Sequence, residues 1–213
     1  IGIKEAIDDR LKLKQGKPVI VMYAGTGPFA TLLSPLITQY RPDELQLILL
    51  EINPLTINYL RRIIEKLDAG KYVKELIQAD ATLFVIPARY QPDIIVSETM
   101  KPGLDKEPHV SLVSNLLVQC TKFPILIPEC ITVSACLLGN TVNDPDAICS
   151  LGDLMKFDAD TALQIGHCIR NAATALDEVT LPVSQTLTDR CSQLALLTHI
   201  RVYKKTELRL NES

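Results

Sequence analysis

Short apolar runs alternate with amphipathic stretches along the N-terminal part of the chain. Five of the apolar runs have the length of buried strands: one that starts at residue 19, and residues 45–50, 73–79, 93–96 and 123–127. Apolar residues at helical spacing predict helices over residues 2–13, 29–39, 55–67 and 109–120, with a short helical or irregular link at 81–86. This alternation favours a parallel sheet that is covered by helices on both faces.

Two prolines help to place the predicted helices. Asn53-Pro54 is a start signal for the helix over residues 55–67. Pro35 lies inside the stretch 29–39, where it predicts a kink or an early stop.

The pattern changes after residue 128. Residues 131–138, 178–184 and 194–203 are rich in strand formers, and no convincing helices connect them. Residues 161–176 fit either a helix or a loop. We therefore divide the chain into an α/β domain over residues 1–128 and a smaller β-rich accessory region over residues 129–213.

The first predicted strand ends in a turn that contains Gly25, Gly27 and Pro28. Glycine lets the backbone turn sharply and approach a ligand without a Cβ in the way. Pro28 suits the first position of a helix, where its missing N–H is not needed. We therefore expect a helix to begin here, with free amides that face a carboxylate or phosphate group of a ligand.

Acidic residues follow the next three strands. Glu51 follows the second strand, Asp80 the third, and Ser97 and Glu98 the fourth. In open α/β sheets ligands bind at the carboxyl ends of the strands, and an acid after the second strand can hold ribose hydroxyls. The spacing thus predicts a ligand with a nucleoside part.

Composition and charge narrow the functional classes. The chain has 213 residues and a formal net charge of −3, so neither a nucleic acid nor an anionic membrane is expected as a partner. Its six cysteines form no C-x-x-C pair and accompany only three histidines, which gives a metal site no support. No apolar stretch has the length of a membrane span and no signal peptide is visible, so we expect a cytoplasmic protein with reduced thiols.

The glycine turn and the acids resemble the class I S-adenosylmethionine-dependent methyltransferases. In this comparison AGTG is the glycine loop, Glu51 the ribose acid, and ADAT the stretch with the adenine-side acid. The resemblance implies a Rossmann-like domain with S-adenosylmethionine as the cofactor. The cofactor-binding residues that it implies are Tyr23, Ala24, Gly25, Thr26, Gly27, Glu51, Ile52, Asp80, Ala81 and Glu98.

Residues 97–107, SETMKPGLDKE, resemble the double-glutamate loop of the protein arginine methyltransferases. In that loop Ser-Glu closes the fourth strand and a second Glu follows nine residues later, a spacing that Glu98 and Glu107 match. The resemblance implies that both are catalytic and that the acceptor is a guanidine or amine, such as a protein arginine. It also implies a homodimer, with which the hydrophobic content of 47% is compatible.

Two carboxylates suit this chemistry. A guanidinium group keeps its proton up to a pKa above about 12, so its nitrogens are poor nucleophiles. A pair of carboxylates can hold the group through charge-assisted hydrogen bonds and draw its charge away from one nitrogen. Either carboxylate could then accept the released proton.

Four positions depart from the family pattern. Val21 and Tyr23 stand where methyltransferases carry an acid and the first glycine of the loop. Thr99 and Lys101 replace the aromatic residue and the glycine that follow the first Glu of arginine methyltransferases. Two other functions therefore stay open. Residues 25–30 satisfy the G-x-G-x-x-A form of a dinucleotide site, which suits a nicotinamide-dependent oxidoreductase. A cofactor-binding scaffold without turnover is the other.

Overall fold

The computed structural model describes residues 1–99, 104, 108–139, 148–170, 178–184 and 191–208. Its α-helices are α1 (Gly2–Lys14), α2 (Pro54–Lys66), α3 (His109–Leu117) and α4 (Ala159–Arg170). Its strands are β1 (Val19–Ala24), β2 (Leu45–Glu51), β3 (Val73–Gln78), β4 (Ile94–Ser97), β5 (Ile125–Ile127), β6 (Cys130–Gly139), β7 (Ile148–Asp158), β8 (Cys191–Tyr203) and β9 (Thr206–Leu208). Short 3₁₀ segments lie at Ser34–Thr38 and Gly70–Tyr72.

The first five strands form one parallel sheet in the order β3-β2-β1-β4-β5. This confirms the predicted Rossmann-like α/β fold. The order reverses between β1 and β4, because β2 and β3 extend to one side of β1 and the later strands extend to the other. Ligands of open α/β sheets bind in the crevice at such a switch point.

Helices cover both faces of this sheet. Tyr23 and Leu49 point to one face, where their neighbours belong to the same buried cluster as side chains of α1 and α2. Met22 and Ile48 point to the opposite face and share a cluster with α3 and α4. The side chains of each strand alternate between the two clusters, as the strand pleat requires. Burial on both faces explains why β1, β2 and β4 are nearly continuous apolar runs, whereas the edge strand β3 has no buried residue.

The start of α2 is the predicted one. The side chain of Asn53 accepts a hydrogen bond from the backbone N–H of Leu55 at 2.9 Å, which satisfies one of the free amides of the first turn. Pro54 occupies the first helical turn, where it loses no hydrogen bond.

The predicted helix over residues 29–39 is wrong. Residues 27–33 form turns, and a 3₁₀ segment follows at Ser34–Thr38. Ala30 has a φ of 44°, which a right-handed helix does not allow. Pro35 would also clash with the carbonyl of the preceding turn of an α-helix. The apolar spacing still serves the core, because Leu33 and Leu36 are buried.

The remaining strands form a separate antiparallel sheet in the order β7-β6-β8-β9. Strands β6 and β8 lie where residues 131–138 and 194–203 predict them. The strand-like reading of residues 178–184 is wrong, because these residues belong to neither sheet and most of them are exposed. The ambiguous stretch from residue 161 begins as a helix, α4, which Asp158 caps by accepting a hydrogen bond from Thr161 N at 3.1 Å.

The two sheets are joined through helices of the first. His109, at the start of α3, meets Phe157 of β7 edge to face with the ring centroids 5.7 Å apart. On the other side, the Tyr203 hydroxyl donates to Asp9 of α1 at 3.1 Å, and Lys204 forms an ion pair with the same carboxylate. In the described part of the chain, no helix is long and apolar enough to cross a bilayer.

Candidate cofactor and active site

The candidate site lies at the switch point, where the carboxyl ends of β1 and β4 are neighbours. Gly25 and Gly27 both have positive φ angles, of 75° and 60°, so the turn after β1 needs residues without a Cβ. The N–H of Gly25 donates to the carbonyl of Leu50 at 3.0 Å, which ties the turn to the end of β2. The glycine turn thus has the placement that the sequence predicts, although no α-helix follows it in residues 28–39.

Glu51 holds the glycine turn from the side. Its side chain is nearly covered, and the residue is 8% exposed. One carboxylate oxygen accepts the N–H of Gly27 at 3.0 Å and the other accepts the N–H of Asn53 at 2.9 Å. A carboxylate offers about four lone-pair positions, so two remain for ligand hydroxyls after these bonds are made. Glu51 thus fixes the glycine turn, and its role as a ribose acid stays a prediction.

Three polar side chains lie near one another at this edge. Tyr23 lies opposite Leu49 of β2, and Glu51, the last residue of β2, comes two residues later and points to the same face as Leu49. Glu98 follows the last residue of β4, and its charge acts on Tyr23. Burial and the carboxylates of Glu98 and Glu51 together raise the pKa of Tyr23 to about 12, although a hydrogen bond with Thr31 acts in the opposite direction. The phenol thus keeps its proton beside two carboxylates, an arrangement that favours a bound cation.

Thr99 closes the β4 side of the crevice. Its hydroxyl lies 3.1 Å from the hydroxyl of Ser97, which is buried. A Cβ placed on Gly25 would come within 2.2 Å of Thr99 Cγ2, so this methyl group packs against the Cα of Gly25. Glu98, which lies between Ser97 and Thr99 in the chain, is exposed.

The predicted adenine-side residues lie at two neighbouring strand ends. Asp80 accepts hydrogen bonds from the backbone N–H and the hydroxyl of Thr82, at 2.9 Å and 2.7 Å, so one of its oxygens shapes the local turn. Ala81 is buried. Ile52, after β2, is 60% exposed and offers an apolar surface on which a flat ring could pack.

Besides Ala81, three predicted contact residues turn away from solvent. Tyr23 is 1% exposed and belongs to the buried cluster that α1 and α2 cover. Ala24 points into the core on the α3 face, so only its backbone can meet a ligand. Thr26 is 3% exposed, and its hydroxyl has no hydrogen-bond partner within the described residues. Glu107 lies outside the described residues, so its pairing with Glu98 stays a prediction.

Sequence reasoning missed the residues that fix the loop after β3. Asn115 of α3 donates to the carbonyls of Ala81 and Phe84, at 2.9 Å and 3.0 Å, and Gln119 donates to the Phe84 carbonyl at 2.9 Å. The signal for them is two amide side chains four residues apart at the end of an apolar helix, which places both on one face. They hold the loop that carries the adenine-side residues.

An open groove of about 400 Å³ lies between the turn after β1 and α2. It is lined by Pro28, Phe29, Tyr59, Arg62, Ile63 and Lys66. Neither Glu51, Asp80 nor Glu98 lines it, so this groove is separate from the acids of the candidate site. Among the described residues, no group of three or more His, Cys, Asp and Glu side chains could hold a metal ion.

No family model and no curated protein matches this chain. Solved structures that resemble it include protein arginine methyltransferase 10 of Arabidopsis thaliana, with 15% identity, a TM-score of 0.45, and coverage of 65% of this chain and 41% of that chain. A second is the StiE O-methyltransferase, with 21% identity, a TM-score of 0.40, and coverage of 58% of this chain and 38% of that chain. The chain thus spans about two fifths of the length of each. These likenesses concern the fold alone, and the Rossmann-like α/β fold is defined by the chain's own strand order.

Proposed function

We propose that this chain is an S-adenosylmethionine-dependent N-methyltransferase, and that its acceptor is a guanidine or amine, with protein arginine as the first to test. The observation that carries the proposal is that Glu51 and Glu98 follow the two strands that flank β1, beside Tyr23 and a glycine turn at the switch point. Two carboxylates and a neutral phenol make this edge suited to a cation. Both the sulfonium cofactor and a guanidinium acceptor are cations.

The residues present fit the cofactor. Glu51 keeps lone pairs beyond its two backbone bonds, and these would accept hydrogen bonds from the ribose hydroxyls. Asp80 would accept a hydrogen bond from the adenine amino group, and Ile52 would pack on the ring. The cofactor supplies an electrophilic methyl group on a positively charged sulfur.

Glu98 would hold the acceptor. Its side chain is exposed at the end of β4, so an incoming side chain can reach it. A carboxylate that accepts N–H bonds from a guanidinium orients the group and draws positive charge toward itself, which leaves the opposite nitrogen more nucleophilic. We propose that Glu107 is the second carboxylate that holds the acceptor, because of its spacing from Glu98.

The nicotinamide alternative has less support. A dinucleotide site places its pyrophosphate on the N-terminus of the helix that follows the glycines. Residues 27–33 form turns, so no such helix start lies next to this glycine turn. A cofactor-binding scaffold is the second candidate that an observation favours, since the Thr99 methyl group lies directly over Gly25 of the glycine turn.

The test is a methyl-transfer assay with S-adenosylmethionine, arginine-containing peptides and free arginine, read by mass spectrometry. We expect transfer by the wild-type chain and a loss of about a hundredfold in rate for Glu98→Gln, because a neutral amide cannot polarise the guanidinium. The affinity for S-adenosylhomocysteine should stay within about twofold in this variant, which separates chemistry from cofactor binding. Glu65→Gln, an exposed position on α2, is the matched control.

A chain that binds S-adenosylhomocysteine and transfers no methyl group to any guanidine or amine would contradict the enzymatic proposal and support the scaffold. Equal rates for Glu98→Gln and the control would show that Glu98 does not hold the acceptor.

A further inference from the structure

Thr99 forms one lip of the crevice between β1 and β4. A Cβ on Gly25 would lie only 2.2 Å from Thr99 Cγ2, a separation that two such carbons never reach. In the native chain the Thr99 methyl group therefore rests directly on the bare Cα of Gly25. The two edges of the crevice touch at this point, where the strand order reverses.

The two branches of the Thr99 side chain have different surroundings. The hydroxyl lies 3.1 Å from that of Ser97, whose residue is 1% exposed. Threonine is branched at Cβ and has few χ1 rotamers, so one hydrogen bond is enough to select one of them. The hydroxyl thus holds the side chain in place, and the methyl group fills the space over Gly25.

We propose that Thr99 is a specificity-determining residue, whose methyl group limits what can lie over the glycine turn. This inference rests on the proposed function. In the order β2-β1-β4, a ribose on Glu51 lies on one side of Gly25, and Glu98 lies on the other. A cofactor with an amino-acid tail that runs from the ribose toward Glu98 must cross Gly25, and there it meets the Thr99 methyl group.

A ligand without that tail does not reach Thr99. The site therefore discriminates between a nucleoside thioether and the same nucleoside with an amino-acid tail. It accepts the tail only when the Thr99 methyl group moves away from Gly25. Thr99 would act on the tail through the space it fills, whereas Glu51 acts on the ribose through hydrogen bonds.

Two substitutions separate the branches. Thr99→Ser removes the methyl group and keeps the hydroxyl next to Ser97, whereas Thr99→Val keeps a methyl group in place and removes the hydroxyl. Calorimetric titration of the wild-type chain and both variants would use S-adenosylhomocysteine, which has the tail, and 5′-methylthioadenosine, which lacks it. We expect Thr99→Ser to bind S-adenosylhomocysteine about tenfold more tightly and 5′-methylthioadenosine within about twofold of the wild type. Thr99→Val should show no gain for either ligand.

The outcomes are distinct. A wild-type chain that binds only 5′-methylthioadenosine would contradict the proposed cofactor and this inference with it. Equal affinities of the wild type and Thr99→Ser, an equal gain for both ligands, or a gain in Thr99→Val would overturn it while the proposed cofactor site stands. If none of the three chains binds either ligand, the proposed function is wrong and this inference is wrong with it.

Discussion

The central strands of the parallel sheet and the strand β7 of the antiparallel sheet differ in how far they are covered. All four residues of β4 are buried, and so are most residues of β1. In β7, by contrast, only Phe157 is buried. The described residues of the candidate site all belong to the first sheet and its loops. In the parallel sheet, the bodies of the central strands build the core and the strand ends present polar groups.

The boundary between the two sheets is apolar on one side and charged on the other. His109 and Phe157 meet where α3 faces β7. A Cβ on Gly166 of α4 would lie 2.7 Å from the carbonyl oxygen of Ser114, so the α3–α4 contact is too close for any larger residue. Asp9, on the charged side, binds the end of β8. Perturbing each of these regions tests how far stability resides in the parallel sheet.

The largest effect should come from the core of the first sheet. Leu116 of α3 is fully buried, and Leu116→Ala should lower the free energy of unfolding by about 3 kcal/mol through lost burial and the cavity that remains. Leu194→Ala on β8, a residue that is 68% exposed, should change it by less than about 0.5 kcal/mol. Urea denaturation of both variants is the measurement, and similar losses would contradict the difference between the sheets.

The His109 contact should make stability depend on pH. Burial lowers the pKa of His109 from 6.5 to about 4, so the unfolded chain takes up this proton first. The contribution of neutral His109 to the free energy of unfolding is complete above pH 6.5 and declines as the pH falls toward 4. At about pH 5 the loss should be about 2 kcal/mol relative to neutral pH.

The measurement for His109 is the free energy of unfolding at about pH 7.5 and pH 5, for the wild type and for His109→Gln. The fall in the free energy of unfolding between these two pH values should be smaller in His109→Gln, by the contribution of His109. An identical pH dependence in both chains would show that His109 has an ordinary pKa in the fold.

A smaller effect is expected at the edge of the first sheet. Each carboxylate oxygen of Glu51 accepts one backbone N–H, from Gly27 or from Asn53. Glu51→Gln replaces one of these oxygens with an NH₂ group, which cannot accept a hydrogen bond. Affinity for S-adenosylhomocysteine should fall about tenfold, as one lost charge-assisted hydrogen bond predicts. Glu65→Gln again serves as the control, and unchanged binding in Glu51→Gln would exclude Glu51 from the site.

The smallest effect should follow from loss of the charged boundary. Hydrogen bonds from Lys204 and Lys12 lower the pKa of Asp9 well below its ordinary value, but these groups are exposed to solvent. Asp9→Asn should therefore lower the melting temperature by about 1 °C or less. A larger shift in a thermal melt would mean that the second sheet depends on α1 for its stability.

The sequence predicted the parallel sheet because its central strands β1, β2 and β4 are covered on both faces and carry few polar residues. The Asn53 cap made the start of α2 equally clear. The stretch 29–39 was misread because its apolar spacing reflects real burial, at Leu33 and Leu36, in a backbone that is not an α-helix. β7 was not predicted, because its mixed exposure gives neither a continuous run nor a clean alternation.

The candidate site was predicted in part. Spacing placed Glu51 and Glu98 at the carboxyl ends of β2 and β4, the two strands that flank β1, since parallel strands bring their carboxyl ends to one edge. Spacing could not show that Glu51 binds the N–H of Gly27 or that the Thr99 methyl group touches Gly25. Both contacts depend on the exact path of two loops that adjoin only in the folded chain.

Calorimetric titration of the purified chain with S-adenosylhomocysteine, in parallel with NADH, tests the central claim most directly. The account predicts micromolar binding of S-adenosylhomocysteine and no binding of NADH. Binding of NADH alone, or of neither ligand, would contradict it.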